Sequence, residues 1–284
     1  MTVFGSMSAV AYSTVIAVLA LIALGTGKQP FAAGYAFVKS VIVSRKYMLF
    51  LLAVLAILLL NKYELKMEEW LNISYDLTPA LTGWEGAWPA WLQSRLQSDV
   101  LTAICAIFYL VLFQSAMIAS VGIYTYRQNM RLYYALCVAI LVNYLAAVPF
   151  YLFVPVNEVW YVVPEVRFLM LDAYPSFEEE YRALSGLNNC FPSLHTSLSV
   201  TLAILASRSG IRRWAVFNWI NASVIIFSIF YLGIHWFSDM VAGVALAALS
   251  AYVGLKVGAA MEDGNLGRML NEKDELNASR SVGS

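Results

Sequence analysis

Residues 100–124 have the sequence VLTAICAIFYLVLFQSAMIASVGIY, in which no side chain is charged. At 1.5 Å per residue, a helix of this length exceeds the roughly 30 Å of hydrocarbon in a bilayer. A second apolar run, 132–154, follows after a short segment that carries Arg127 and Arg131. Because backbone groups inside a bilayer must be hydrogen-bonded within their own segment, both runs are predicted to be membrane-spanning helices.

The composition extends this prediction to the whole chain. Of the 284 residues, 61% are hydrophobic and 13% are charged, whereas ordinary globular domains are about half apolar and about a quarter charged. The mean hydropathy is +0.68. With 18 basic and 18 acidic residues there is no net charge to attract nucleic acid, so the predicted partner is a membrane.

The predicted fold is all-α, a polytopic membrane helical bundle of about seven transmembrane helices. The predicted spans are 8–24, 47–63, 100–124, 132–154, 191–207, 214–234 and 236–258. Together they make a single transmembrane domain, 1–260, followed by a polar cytoplasmic tail, 261–284.

The loops between the spans sort by charge. Three alternate loops carry nine basic residues and no acidic one: Lys28, Lys39, Arg45, Lys46, Arg127, Arg131, Arg208, Arg212 and Arg213. The loops at the other end, 64–99 and 155–190, are rich in Asp and Glu. The positive-inside rule therefore predicts a multi-pass plasma-membrane protein with the 155–190 loop on the extracytoplasmic face.

The 64–99 loop contains a tryptophan cluster and a glycosylation sequon, Asn72-Ile73-Ser74. The tryptophans are Trp70, Trp84, Trp88 and Trp91. They predict either an interfacial helix on the outer leaflet or a plug packed over the bundle.

Both histidines of the chain lie at the predicted outer boundary. His195 is in FPSLHT (191–196), at the start of the fifth span, and His235 is in YLGIHWFSD (231–239), between the sixth and seventh. Because the fifth and sixth spans cross the membrane and return, the two imidazoles are predicted to share one face.

Asp239 is the only acidic residue within any predicted span, four residues after His235. This spacing puts both side chains on one helical face, where the carboxylate can accept Nδ1–H and leave Nε2 free. Pro192 suits a first helical turn, and the N–H groups around Ser193 and Leu194 predict an anion site. Two alternatives stay open: a helix-capping or packing pair, and metal ligation by two histidines and a carboxylate.

These residues resemble the type 2 phosphatidic acid phosphatase/haloperoxidase superfamily of membrane phosphatases over about residues 140–250. Pro192-Ser193-Leu194-His195 is similar to the second family motif, Pro-Ser-Gly-His, and Ser228-Ile229-x5-His235-x3-Asp239 to the third, Ser-Arg-x5-His-x3-Asp. The resemblance implies a catalytic core over about 100–258 and a phosphohistidine on His235. Asp239 would orient His235, and His195 would act as acid and base. The resemblance also implies no metal and no organic cofactor.

The motifs depart from the superfamily pattern at its phosphate-binding arginines. Ile229 stands at one, and the first motif, Lys-x6-Arg-Pro, has no clean counterpart, so Arg167 and Arg182 are the nearby phosphate-binding candidates. Phe191 and Leu194 instead resemble the inositol phosphorylceramide synthase (inositol phosphotransferase) branch of archaeal and bacterial membrane proteins. Because the predicted site has few cationic side chains, a phosphodiester with one negative charge is a better candidate substrate than a phosphomonoester dianion.

The predicted function is therefore a lipid phosphatase or phosphotransferase acting on a lipid phosphate or phosphodiester. Inositol-phosphate head-group transfer is a leading possibility. The alternative is a transporter or flippase that uses the His/Asp cluster as a proton relay. Transporters usually contain inverted repeats or paired broken helices, and the two halves of this sequence lack such symmetry.

Overall fold

The computed structural model describes residues 1–71 and 75–281, and the sequon at 72–74 lies outside these ranges. The longer helices are α1 (Met7–Thr26), α2 (Pro30–Val43), α3 (Arg45–Leu71), α4 (Thr78–Glu85), α5 (Trp88–Leu96), α6 (Asp99–Tyr126), α7 (Met130–Phe153), α8 (Leu194–Ser207), α9 (Arg212–Tyr231) and α10 (Phe237–Ser281). Single-turn helices between α7 and α8 cover Val159–Val162, Met170–Ala173, Phe177–Glu180 and Arg182–Ser185. Since no strand occurs in the described ranges, the predicted all-α fold is confirmed.

Six helices of the described chain are long and apolar enough to cross a membrane: α1, Arg45–Glu64 of α3, α6, α7, α9 and Phe237–Glu262 of α10. The remaining predicted span, 191–207, is wrong in extent. Ser193 is extended and caps α8, so that helix begins at Leu194 and has 14 residues. Its length of about 21 Å is less than the hydrocarbon thickness.

Two segments outside the predicted spans are helical. The loop between the first two predicted spans contains α2, because Pro30 suits a first turn and mostly apolar residues follow it. With 14 residues α2 is too short to cross, and its Phe31 and Ile42 are largely exposed. The polar tail continues α10 as helix to Ser281.

The centre of the bundle is formed by α7, α8 and α10. A Cβ added at Gly254 would lie 2.4 Å from the carbonyl oxygen of Ala135, and one at Gly258 2.4 Å from that of Arg131. Glycine at four-residue spacing thus lets α10 approach the α7 backbone closely, as small residues commonly do between membrane helices.

Residues 155–190 form a folded cap over the end of the bundle that carries both histidines. Phe168, Met170 and Phe177 of this cap are buried against α6 and α9. The buried Trp236 anchors the cap from below by donating its indole N–H to the carbonyl oxygen of Asn157 at 2.9 Å. The acidic 155–190 loop is therefore a packed cap and not an extended, solvated loop.

The tryptophan cluster divides between its two predicted positions. Trp88 packs on Phe230 with ring centroids 4.9 Å apart, as a plug would. Trp70, Trp84 and Trp91 are exposed, as an interfacial position requires.

Candidate active site

The first half of the site is the start of α8. The Ser193 hydroxyl oxygen accepts a hydrogen bond from the Thr196 backbone N–H at 3.3 Å, and the Ser193 carbonyl accepts from Ser197 N–H. The N–H groups of Leu194 and His195 precede the first intrahelical donor of α8. They therefore remain available at a helix N-terminus, where the helix dipole favours an anion.

The second half is the turn between α9 and α10. Gly233 lies in this turn with φ 81°, and a Cβ there would come within 2.7 Å of the carbonyl oxygen of Arg167. His235 Nδ1 donates to Asp239 Oδ2 at 3.2 Å, and the same oxygen accepts the Trp236 N–H at 2.9 Å. Asp239 is thus held by its own helical turn, and with Nδ1–H directed to the carboxylate, the lone pair of His235 lies on Nε2.

The two halves touch through Ser193. Its backbone N–H donates to the Asp239 carbonyl oxygen at 3.1 Å, and its hydroxyl oxygen lies 3.3 Å from His235 Nε2. His235 Nε2 therefore points at the start of α8. This is the juxtaposition of the two motifs that the predicted topology requires.

His195 is positioned by an irregular turn of α6. Residues Phe108–Leu112 form a π-helical turn, and its Tyr109 stacks on the His195 imidazole with centroids 3.9 Å apart. Phe113 contacts the same ring at 4.5 Å. π-turns are frequent at functional sites because they re-aim side chains. Tyr109 is absent from the sequence motifs, and no local pattern marks the turn.

Both histidines line one cavity of about 160 Å³ between the bundle and the cap. Its polar lining is mostly neutral: Asn61, Tyr109, Tyr144, Tyr151, Tyr181, Ser185 and Asn189. Leu194, Leu198 and Ile234 supply an apolar side. The cavity therefore offers hydroxyl and amide donors beside two imidazoles.

Arg182 is not in the lining of this cavity, but it binds two residues that are, Glu158 and Gly186. Its Nε and Nη2 donate to Glu178, Nη1 and Nη2 donate to Glu158, and Nη1 also donates to the Gly186 carbonyl oxygen. These bonds use all five N–H donors of the guanidinium. Burial raises the pKa of the Glu158 carboxyl, and Arg182 offsets part of that rise. Arg182 is thus a counterion for carboxylates.

The other phosphate-binding candidate, Arg167, does not line the cavity. Its guanidinium pairs with Asp172 at 3.1 Å, and its side chain is 58% exposed. Ile229, at the position of the family arginine, is buried, and its carbonyl oxygen accepts the His235 N–H at 3.1 Å. The structure brings Ser193, Leu194, His195, His235 and Asp239 together and leaves Arg167 outside.

Two residues of the 64–99 loop, outside the motifs, hold the turn that carries His235. Glu85 accepts hydrogen bonds from the N–H groups of Phe237 and Ser238 at 2.5 and 2.9 Å, which caps the start of α10. Gln93 Nε2 donates to the carbonyl oxygens of Arg167 and Tyr231, at 2.8 and 3.0 Å. No sequence pattern connects these residues to His235.

Cys190 Sγ, His235 and Asp239 offer ligand atoms within 4.8 Å of one another. Within the described ranges this is the grouping with metal-like spacing, and it differs from the predicted set of two histidines and a carboxylate. Asp239 already bonds Nδ1 of His235, so a metal would compete with that bond.

The fold and site together define a polytopic helical membrane protein with a histidine–aspartate centre at one end of its bundle. A family model of the PAP2 superfamily matches residues 80–253, and the chain belongs to that superfamily. No curated protein and no solved structure gives a significant match. Membership in this superfamily supports a membrane enzyme of phosphoryl transfer.

Proposed function

We propose that the chain is a metal-independent lipid phosphatase or phosphotransferase that works through a phosphohistidine on His235. The observation that carries the proposal is the pair of contacts at His235. Its Nδ1 donates to Asp239, and its Nε2 lies 3.3 Å from Ser193 Oγ at the start of α8. A phosphoryl group held by the Leu194 and His195 N–H groups would then face a correctly oriented nucleophile.

The proposed mechanism has two chemical steps, with His235 as nucleophile and His195 as acid and then base. His235 Nε2 attacks phosphorus, the bond to the leaving oxygen breaks, and His195 gives that oxygen its proton. In the second step neutral His195 takes a proton from water or an alcohol, whose oxygen attacks phosphorus as the P–N bond breaks. The negative substrate favours the protonated form of His195 that the first step needs.

The proposed substrate is a phosphodiester with a polyol head group, such as an inositol phosphate, transferred to a lipid acceptor. The described lining of the cavity contains no arginine or lysine, and Arg182 behind it is bound to Glu158 and Glu178. A singly charged phosphodiester needs less positive charge than a dianion. The hydroxyls of Tyr109, Tyr144 and Tyr181 suit the many hydroxyls of a polyol.

We further propose that the cavity opens on the extracytoplasmic face of the plasma membrane, with the tail in the cytoplasm. Support comes from the nine basic residues of the loops at the opposite end. The catalytic core in this proposal is about residues 100–258.

The test is an assay on the full chain in detergent with EDTA present. Phosphate release is measured from phosphatidic acid and from an isoprenoid diphosphate, and a parallel reaction contains labelled phosphatidylinositol and a lipid acceptor. Turnover should survive EDTA and fall by about 10⁴-fold in His235→Ala. Ser223→Ala, on an exposed face of α9, is the matched control.

The outcomes separate the possibilities. Head-group transfer without phosphate release supports the phosphotransferase, whereas release from phosphatidic acid alone indicates a hydrolase. Turnover that persists without His235 contradicts the mechanism. If neither reaction occurs, proton-coupled transport through the same histidines becomes the hypothesis to examine.

A further inference from the structure

At the end of the bundle opposite the histidine cavity, arginines line two adjoining pockets of about 800 and 590 Å³. Arg127 and Asn129 belong to both pockets, so the two form one continuous groove. We call it the arginine groove; its arginines are Arg127, Arg131, Arg208, Arg212 and Arg213.

Among the described side chains, which on α10 end at Glu262, the groove arginines have no carboxylate partner. None of the five forms an ion pair with those side chains, and all five are exposed. Of the described acidic residues, Glu262 lines the groove. Like charges that share a small volume repel one another, and a bound anion removes that repulsion. The charge of the groove therefore calls for an anionic ligand.

Two of these arginines are held in position by contacts with residues at the C-terminal end of α1. Arg127 Nη2 donates to the carbonyl oxygen of Thr26 at 2.9 Å. Arg213 packs over Gly27, where an added Cβ would lie 2.5 Å from Nη2. Positioned guanidiniums lose less freedom when they bind a ligand, and their planar forks match two phosphate oxygens at once. These contacts favour a phosphate over a diffuse ion cloud.

The start of α9 adds backbone donors to the same groove. This helix of 20 residues begins at Arg212, and its N-cap residue Ile211 makes no side-chain capping bond. The N–H groups of its first turn and the positive end of its dipole therefore favour an anion beside Arg212 and Arg213.

An apolar stripe leads from the groove along α9. Val216 lines the groove, and Val216, Trp219 and Ile220 are exposed at i, i+3 and i+4 on this membrane-spanning helix. A phosphate site that continues into an exposed apolar stripe has the chemistry of a phospholipid, whose charged head group is joined to hydrocarbon chains.

We propose that the arginine groove binds an anionic phospholipid of the leaflet at that end, the cytoplasmic leaflet by the positive-inside rule. The arginine forks and the α9 N-terminus hold the head-group phosphate, and an acyl chain lies along Val216, Trp219 and Ile220. The site is separate from the histidine cavity and does not depend on the proposed catalysis.

The experiment measures lipid retention on the purified full chain by native mass spectrometry after equilibration with equal phosphatidylglycerol and phosphatidylcholine. Wild type should retain phosphatidylglycerol preferentially. Arg212→Gln/Arg213→Gln should lower that retention by about tenfold or more, since each basic residue adds to anionic-lipid binding. The matched control is Lys28→Gln/Lys39→Gln, which removes two exposed charges at the same end but outside the groove. The control should retain phosphatidylglycerol as wild type does.

Further arms separate the possible ligands. Arg212→Lys/Arg213→Lys keeps the charge and controls for a folding defect. Its phosphatidylglycerol retention should lie between those of wild type and the Gln variant. Val216→Ser/Ile220→Ser should also lower retention if an acyl chain lies on α9. An equal loss of phosphatidylglycerol retention in Lys28→Gln/Lys39→Gln would overturn the proposal, because general surface charge would then explain the binding. Displacement of the lipid by millimolar inorganic phosphate would overturn it in favour of a free-phosphate site.

Discussion

The two ends of the bundle use arginine in opposite ways. At the end with the histidine cavity, Arg182 donates all of its N–H groups to Glu158, Glu178 and a carbonyl oxygen. At the opposite end, Arg208 and Arg212 line a groove without forming an ion pair to any described side chain. The comparison teaches that the charge count of a loop predicts its side of the membrane but not whether its charges are free to bind a ligand.

This difference separates two kinds of anion recognition in one molecule. The histidine cavity offers oriented neutral donors and two imidazoles, so its affinity should depend on geometry. The arginine groove offers unpaired charge at the surface, so its affinity should weaken as salt rises. Four substitutions test this contrast, in order of decreasing expected effect.

The largest effect is expected from Asp239→Asn, which tests whether the cavity works through an oriented imidazole. An amide keeps the shape but no longer fixes the Nδ1–H tautomer of His235. We expect turnover to fall by about 10²–10⁴-fold, with loss of the acid-labile phosphoenzyme on rapid quench. Asp99→Asn, an exposed first-turn acid of α6, is the matched control. A variant that keeps a tenth of wild-type turnover would show that geometry at His235 is not limiting.

The next effect is expected from Arg182→Gln, which breaks the ion pair between Arg182 and Glu158, a residue that lines the cavity. The side chain is 15% exposed and its partner Glu158 is 8% exposed, so the lost bond leaves an uncompensated buried carboxylate. Such changes cost about 3 kcal/mol, measured here as a fall in melting temperature in detergent. Glu158→Gln/Arg182→Gln should recover much of the loss, while the exposed Arg95→Gln should change nothing. If the double variant is no better than the single one, Arg182 is not acting as a counterion.

The same variant has a predictable pH dependence. Burial raises the pKa of Glu158 above its unfolded value, so the stability this group contributes is present in acid and is lost as pH rises through the folded pKa. Arg182 offsets part of that rise, and Arg182→Gln removes the offset. The melting-temperature deficit of the variant should therefore narrow as the buffer is acidified and widen towards neutral pH. A deficit that is constant with pH would contradict this account.

The contrast between the two ends shows which features of the fold and the site could be predicted from the sequence. Spans and the His235–Asp239 spacing depend on neighbouring residues, and hydropathy and helical period report them directly. The pairing of Arg182 with Glu158 and the capping of α10 by Glu85 depend on how the outer loops fold, across 24 and 153 positions. The π-turn that brings Tyr109 onto His195 is a local departure from the helix with no marker in the residues that form it.

A smaller effect is expected from Glu85→Ala, which leaves His235 and Asp239 in place and removes the hydrogen bonds that cap α10 from the 64–99 loop. The start of α10 would lose its cap, at a cost of about 1 kcal/mol. Because Asp239 lies in that first turn, we expect kcat to fall by about tenfold with KM nearly unchanged. Asp76→Asn, another acid of the same loop, should leave both constants unchanged. A rise in KM alone would indicate that Glu85 contacts substrate instead of positioning α10.

The smallest effect is expected from Arg167→Ala, which compares an exposed arginine at the cavity end with the arginines of the groove. Arg167 is 58% exposed and paired with Asp172, so its loss should cost less than about 0.5 kcal/mol and change turnover by less than about twofold. Arg212→Ala, at the other end, should leave turnover equally unchanged but lower phosphatidylglycerol retention. A tenfold loss of turnover in Arg167→Ala would mean that this guanidinium leaves Asp172 and enters the cavity when substrate binds. The cavity would then recognise its substrate by charge, as the groove does, and the contrast between the two ends would fail.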